Sequence, residues 1–317
     1  MKSSKAFVSP FSKLDKKSVN LAGGKGANLG EMTAHHIPVP QGFVVLRTAF
    51  DQFMRDTGID SLASRMLRTV DPKVLASINR ASRELRRKIQ NASFPPELAR
   101  EVFAAFTKLH NTTVAVRSSA TAEDSSTASW AGELESYLFI RKPQLLKTIQ
   151  TCWSSLFTPR AIFYRFEKKL HTIPVSVAVV VQEMIDSEVA GITFTAHPVT
   201  KNRQHMVIEA GWGQGEAVVS GRITPDTYVV DRKSDAILDI AVSRQERMIQ
   251  RKGTQGTREV MVPLAKREKQ KLKSAQIMKI ARLCATIEKH YGTPQDIEWA
   301  WSHNKFYITQ TRPITTL

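Results

Sequence analysis

The sequence predicts an α+β protein built as two lobes. Three observations carry this. The chain has 317 residues, about twice the ~150 residues of an ordinary domain. Helical and strand-like patterns are interleaved along its first part. Near residue 185 the texture changes to short strands separated by Gly, Pro, Asn and Asp, so the expected lobes are residues 1–184 and 185–317.

In the first lobe, Gly23 and Gly24 predict a turn that feeds a helix from Lys25 to about Ala34. Pro38 and Pro40 end it, and Gly42–Leu46 reads as a short buried strand. Residues 47–110 read as mostly helical. Asp71–Pro72 looks like an N-cap with proline at the first helical position, and Pro95–Pro96 open another helix. Thr113–Arg117 is a strand, Ser118–Gly132 a polar loop of small residues, and Leu134–Ile140 a returning strand. Helices are expected over 143–157 and 159–170. Val175–Met184 is a β-branched run, the pattern of a strand buried on both faces.

In the second lobe, GITFTA, HMVIEA, DTYVV and AILDIAV are short strands. Residues 251–271 are basic and polar and are expected to face solvent. A helix from about Lys266 to His290 places Ile277, Ile280, Cys284 and Ile287 on one face. Two strands, Gln295–Trp301 and Lys305–Arg312, complete the pattern.

Composition narrows the class. Hydrophobic residues are 42% and charged residues 24%, which excludes a collagen, a disordered tail and a disulfide-stapled miniprotein. Lys and Arg outnumber Asp and Glu by 46 to 29, a net charge of +17, which favours anionic partners: nucleotides, nucleic acid or acidic surfaces. Cys152 and Cys284 have no metal-ligand spacing. Both lie in apolar helix-like stretches and are expected as buried free thiols, which suits a reducing cytoplasm. The longest apolar run, near Val175–Val181, is far short of the ~20 residues that span a bilayer. The N-terminal segment is basic and Ser-rich without an apolar core, so it is not a secretory signal. A transit peptide would have that composition, but the first motif of chemical interest begins at Gly23 and leaves little to remove.

The most informative chemistry lies in the last two strands. Asp296 and Glu298 share one face of a strand, as do Gln310 and Arg312. A three-residue loop at 303–305 would set Glu298 opposite Gln310 and Asp296 opposite Arg312. Two carboxylates and an amide oxygen are hard ligands suited to Mg²⁺, and an adjacent arginine can clamp a phosphate. The same spacing also fits an exposed strand face with cross-strand salt bridges. The segment LAGGKGANLG (21–30) offers free N–H groups to an anion, with Lys25 as a point charge, or is a plain loop-to-helix turn; it lacks P-loop spacing. In VRSSATAED, a strand delivers Arg117 to a loop of hydroxyl residues that could close over phosphates or simply be a surface loop. IEAGWGQGE has alternate glycines without the helix a dinucleotide fingerprint needs, and a tight turn fits it. The eight histidines show no ligand spacing; His35–His36 read as exposed and His197 as a turn residue.

Eight segments occur in one order: GGKGANLGEM, VAVRSSATAED, SWAGELESYL, VVVQEMI, GITFTAHPVT, VIEAGWGQGEAVVSGRITPDTYVV, PQDIEWAW and ITQTRPITTL. Together they resemble the nucleotide-binding domain of the phosphoenolpyruvate synthase and pyruvate phosphate dikinase family, including its rifampicin phosphotransferase relatives. The resemblance runs through nearly the whole chain. It implies an ATP-grasp fold, with ATP between two α/β lobes and Mg²⁺ as cofactor. Lys25 and Arg117 look like phosphate-contacting cations. The segment from Thr121 to Gly132 looks like a lid over the phosphates, and Gln182, Glu183, Met184 and Ile185 like a hinge whose backbone meets adenine. Glu209 lies in the family's VIEA strand. Glu298 and Gln310 match the Mg²⁺ ligands, with Asp296 beside them and Arg312 on the phosphates.

Two positions depart from the family pattern: Glu133 follows the lid where a glutamine is usual, and His197 replaces Asn or Asp before Pro198. In the family's reaction the β-phosphoryl of ATP passes to a histidine, AMP leaves, and the γ-phosphoryl ends as phosphate. No histidine here sits in the family's phosphohistidine motif. The resemblance therefore implies an acceptor histidine on a separate domain, in another chain or another part of the gene. Two other readings stay open: the ATP domain of an antibiotic phosphotransferase, and a nucleotide-binding or nucleic-acid-associated module without turnover. The basic runs lack the interleaved aromatics of a single-strand binder, so nucleic acid is not the expected partner.

Overall fold

The structure, a computed structural model, describes residues 6–120, 124–125, 128–129, 136–170 and 175–315. The chain divides into two compact units, Met1–Glu31 with Gln41–Met184 and Met32–Pro40 with Ile185–Leu317. Both are mixed helix and sheet, and every strand pair in the two main sheets is antiparallel, as an α+β protein requires. Among the described residues no helix is long and apolar enough to cross a membrane.

The first unit contains strands β1 (Val8–Pro10), β2 (Gly42–Val45), β3 (Thr113–Ala120), β4 (Asp124–Ser125), β5 (Ala128–Ser129), β6 (Ser136–Arg141) and β7 (Val177–Glu183). Five of them form one sheet in the order β1-β2-β7-β3-β6. β7 lies at its centre, and Val177 to Gln182 are all buried, which explains the unbroken valine run. Helix α1 (Val19–Ala34) runs across the boundary between the units. It is followed by α2 (Arg47–Asp56), α3 (Ile59–Thr69), α4 (Leu75–Asn91), α5 (Pro96–Phe106), α6 (Lys142–Ser154) and α7 (Pro159–Glu167). Their apolar stripes build one core centred on Trp153, which stacks on Phe94 at 5.5 Å and packs against Phe53 at 4.9 Å. Helix α4 starts later than the Asp71–Pro72 pair suggests. Asp71 instead closes a turn, its carboxylate accepting from the Lys73 N–H at 2.9 Å and its carbonyl from the Val74 N–H at 3.1 Å. Its capping capacity is used one turn before the helix begins.

The second unit contains β8 (Val189–Phe194), β9 (His205–Trp212), β10 (Asp226–Asp231), β11 (Ala236–Ala241), β12 (Arg247–Arg251), β13 (Thr257–Met261), β14 (Gln295–Ser302) and β15 (Lys305–Pro313), with helices α8 (Glu216–Val219) and α9 (Ser274–Tyr291). Six strands form a sheet in the order β11-β10-β9-β8-β14-β15, and β12 and β13 form a separate ribbon. Helix α9 buries Ile277, Ile280, Cys284 and Ile287, the face expected from their spacing. Its first residue is Ser274, not Lys266. Cys152 and Cys284 are both fully buried, and burial pushes the Cys284 thiol up to about 12. Residues 32–40 belong with this unit; the Ile308 N–H donates to the Pro38 carbonyl at 2.9 Å.

The polar stretch 251–271 is exposed over most of its length but ends on a buried lysine. Lys271 donates to Asp226 Oδ1 at 2.7 Å, and both side chains are wholly buried. Asp226 also accepts from the Lys271 N–H, the Ser243 N–H and the Tyr228 hydroxyl at 2.8, 2.9 and 2.8 Å, so each carboxylate oxygen has two donors. Burial pushes the Tyr228 hydroxyl pKa up. Removing one member of a saturated buried pair leaves an uncompensated charge. Lys271→Met is therefore expected to cost about 3–5 kcal/mol, read as a lowered urea midpoint, whereas Lys269→Met on the exposed part of the same segment should change it by less than about 0.5 kcal/mol.

Candidate functional site

The last hairpin sets Asp296 opposite Arg312 and Glu298 opposite Gln310, the register expected from the sequence, but by a different route. The turn has two residues, His303 and Asn304, both at positive φ, the geometry of a tight hairpin turn. Ser302 then pairs with Lys305 and Trp299 with Ile308. Between Ile308 and Gln310 the register shifts, leaving Thr309 as the extra residue of a β-bulge. Without the bulge, Gln310 and Arg312 would share a face with Phe306 and Ile308, which are buried, Phe306 against Trp299 and Trp301. With it, they turn to the other face, beside the carboxylates.

The side chains there are in contact. Arg312 donates from Nε to Asp296 Oδ2 at 2.8 Å, and a terminal guanidinium nitrogen lies 2.7 Å from the same oxygen. Gln310 Nε2 donates to Glu298 Oε1 at 3.0 Å. The row continues across the sheet, because Glu298 pairs with Ile192 and Ile192 with Glu209. Period-2 alternation therefore puts Glu209, Ile192, Glu298 and Gln310 on one face. On the opposite face, Trp299 Nε1 donates to Thr193 Oγ1 at 2.9 Å, and α9 covers the sheet.

The acidic face is electrostatically expensive. Asp296 is 8% exposed, and burial raises its carboxyl above the usual range. Arg312 opposes that shift and Glu298 adds to it, so burial outweighs the ion pair. Glu209 is also raised, by burial first and by the Asp296 charge second. Asp296 Oδ1 is buried with no hydrogen-bond partner among the described residues. An unpartnered carboxylate oxygen amid three further oxygen-bearing side chains is a donor set suited to a hard divalent cation.

The other expected residues lie mostly in the first unit. α1 is interrupted at Gly23, with φ 69° and ψ 171°. A Cβ there would stand 2.2 Å from Ser119 Oγ, so only glycine fits. Ser119 Oγ donates to the Ala22 carbonyl at 2.9 Å and accepts from the Gly26 N–H at 3.3 Å. The turn that presents Lys25 is thus bolted to β3 two residues beyond Arg117, on the same strand face. Ser119 was not singled out from the sequence, although its i, i+2 spacing from Arg117 signals it.

Of the expected hinge residues, Gln182 and Glu183 end β7, Met184 follows it as the last residue of the first unit, and Ile185 begins the second segment of the second unit. Two hinge N–H groups are engaged within the first unit: Glu183 donates to Gln41 at 2.7 Å and Met184 to Thr113 at 3.1 Å. The Glu183 carboxylate accepts from the backbone of His110 and Asn111 at 2.6 and 3.2 Å. Thr121, Gly132 and Glu133 lie outside the described residues. GWGQG is a packing turn: a Cβ on Gly213, at φ 88°, would lie 2.5 Å from the Ile249 carbonyl oxygen. His197 Nδ1 accepts from the Val199 and Thr200 N–H groups at 3.2 and 3.3 Å, a turn role.

The raised carboxyls give a pH signature. A carboxyl whose folded pKa exceeds its unfolded value holds its proton more tightly when folded, so its ionised form at neutral pH opposes folding. In metal-free buffer, Glu209→Gln should therefore raise the urea midpoint at pH 7.5. The gain should shrink away as pH falls to about 4, where the carboxyl is largely protonated in both states. Parallel parent and variant denaturation curves across that range provide the check.

Residues 19–317 match the family model described as pyruvate phosphate dikinase, AMP/ATP-binding domain. The chain is 43% identical, over 98% of its length, to a probable phosphoenolpyruvate synthase of Methanocaldococcus jannaschii, of which it covers 27%. It is 38% identical to a phosphoenolpyruvate synthase of Pyrococcus furiosus, again over 98% of the chain and 44% of that protein. It is 37% identical over 98% of its length to a rifampicin phosphotransferase of Bacillus cereus, covering 36% of it. The chain thus spans less than half the length of these relatives. A match over nearly the whole chain shows that it belongs to the pyruvate phosphate dikinase AMP/ATP-binding domain family.

Proposed function

We propose that this chain is an ATP-grasp module that binds Mg²⁺–ATP for a dikinase-type phosphoryl transfer of the phosphoenolpyruvate synthase kind. The observation that carries the reading is the one face of the β14–β15 hairpin holding Asp296, Glu298, Gln310 and Arg312, with one buried carboxylate oxygen lacking a hydrogen-bond partner among the described residues. Glu298 and Gln310 would hold Mg²⁺, with Asp296 and Glu209 completing the acidic surround. The cation would neutralise phosphate charge. Arg312 is held by Asp296 and would share its guanidinium with the phosphates. Lys25 and Arg117 would contact the phosphates from the first unit, where the Gly23–Ser119 contact fixes the Lys25 turn. The segment from Thr121 to Gly132 would cover the phosphates, and the Gln182–Ile185 segment would meet adenine.

The acceptor is a histidine on a separate domain. Its ring nitrogen attacks the β-phosphorus, the bond to the α-phosphate oxygen breaks, and AMP leaves; the γ-phosphoryl is later released to water as phosphate. The chain's own residues act by positioning and electrostatics. The match to rifampicin phosphotransferases covers the same residues, so the final acceptor would be either pyruvate or an antibiotic. The cytoplasm is the expected compartment.

Two measurements test this. Glu298→Ala should weaken Mg²⁺–ATP binding by about tenfold or more in calorimetry and leave the circular dichroism spectrum unchanged. Unaltered affinity would remove the assigned metal face. Nucleotide chromatography should show AMP when a phosphohistidine domain from a relative is supplied in trans, and only slow turnover without it. ADP as the sole product would point to an ordinary kinase or a ligase-type reaction.

A further inference from the structure

The helical part of the first unit carries a second basic site remote in sequence from every residue assigned above. Arg165 lies on the inner face of α7 with Ala161 and Ile162 and is only 3% exposed. Its Nε and one terminal nitrogen are buried without a hydrogen-bond partner among the described residues. The guanidinium sits over the Phe157 ring at 5.0 Å. Burial pushes its pKa down to about 10, so it remains charged at neutral pH. A buried cation ordinarily has a carboxylate beside it; here no described carboxylate forms an ion pair with it.

Arg165 lines a cavity of about 680 Å³ between α2, α3 and α7. Phe50, Met54, Leu67 and Phe157 supply its apolar wall, and four more arginines, Arg47, Arg55, Arg65 and Arg68, line it against two carboxylates, Asp51 and Asp60. Neither carboxylate forms an ion pair with Arg165, and both are engaged by other residues of the lining. Asp51 accepts from Ser176 Oγ at 2.6 Å and lies 3.7 Å from Arg47. Asp60 accepts from the Ser61 N–H at 2.6 Å. The volume falls in the range of small-molecule sites, and the walls pair apolar surface with surplus positive charge.

We propose that this cavity binds a small organic anion, a phosphate or carboxylate group on an apolar body, with its charge on Arg165 and its body against Phe50, Met54 and Leu67. The cavity shares no lining residue with the acidic face that the nucleotide reading uses and does not depend on that reading.

The probe is phenyl phosphate, titrated calorimetrically into the full chain with a saturating non-hydrolysable Mg²⁺–ATP analogue present, and inorganic phosphate is titrated in parallel. The expected result is one saturable site for phenyl phosphate that persists with the analogue, and weaker binding of inorganic phosphate. Arg165→Met should weaken it at least about tenfold. The exposed double variant Arg65→Ser/Arg68→Ser should weaken it about threefold, which keeps the test decisive if the core variant fails to fold. No saturable binding below about 10 mM, displacement by the analogue, equal binding of inorganic phosphate, or binding unchanged in the variants would each overturn the proposal.

Discussion

A single extra residue in the last strand determines the chemistry of the second unit. The tight His303–Asn304 turn starts β15 in a register that would carry Gln310 and Arg312 onto the face buried beneath α9. The bulge at Thr309 reverses the parity, and the two polar side chains arrive beside Glu298 and Asp296 instead. Strand alternation makes that switch all-or-none. One face then presents Trp299 and Thr193 as packed surface, while the other has carboxylates, an amide and a guanidinium.

Two buried aspartates in the same unit show how differently a carboxylate can be held. Asp226 receives four donors, two to each oxygen, and a buried lysine neutralises it. Its charge is fully satisfied by the fold and ties β10 to the segment that leads into α9. Among the described residues Asp296 is paired through Oδ2 and its Oδ1 has no hydrogen-bond partner, and burial raises its pKa despite Arg312. The first arrangement stabilises a structure. The second leaves a buried carboxylate oxygen without a hydrogen-bond partner among the described residues, and the metal-site proposal rests on that oxygen.

The first unit places its candidate cations through steric exclusion. Gly23 has no Cβ, so the chain turns directly against Ser119, and that hydroxyl ties both sides of the turn to β3. At the other end of the sheet, the Glu183 side chain and the Met184 N–H are taken up by the loop that enters β3. The segment leaving β7 is therefore anchored by its own unit up to Met184.

The sequence by itself determined the helices with apolar stripes, the valine-rich central strand, the buried face of α9 and the pairing of Asp296 and Glu298 with Arg312 and Gln310. These follow from residue periodicity, which is local. It also carried the family, because eight motifs in one order constrain the whole chain. It did not disclose that the pairing combines a two-residue turn with a bulge, since a three-residue loop gives the same partners at that end of the hairpin. Nor did it show that Lys271, in a polar stretch, is buried against an aspartate 45 residues away, or that two buried nitrogens of Arg165 have no hydrogen-bond partner among the described residues. Whether a charge is satisfied depends on which distant groups reach it, and only the tertiary structure decides that.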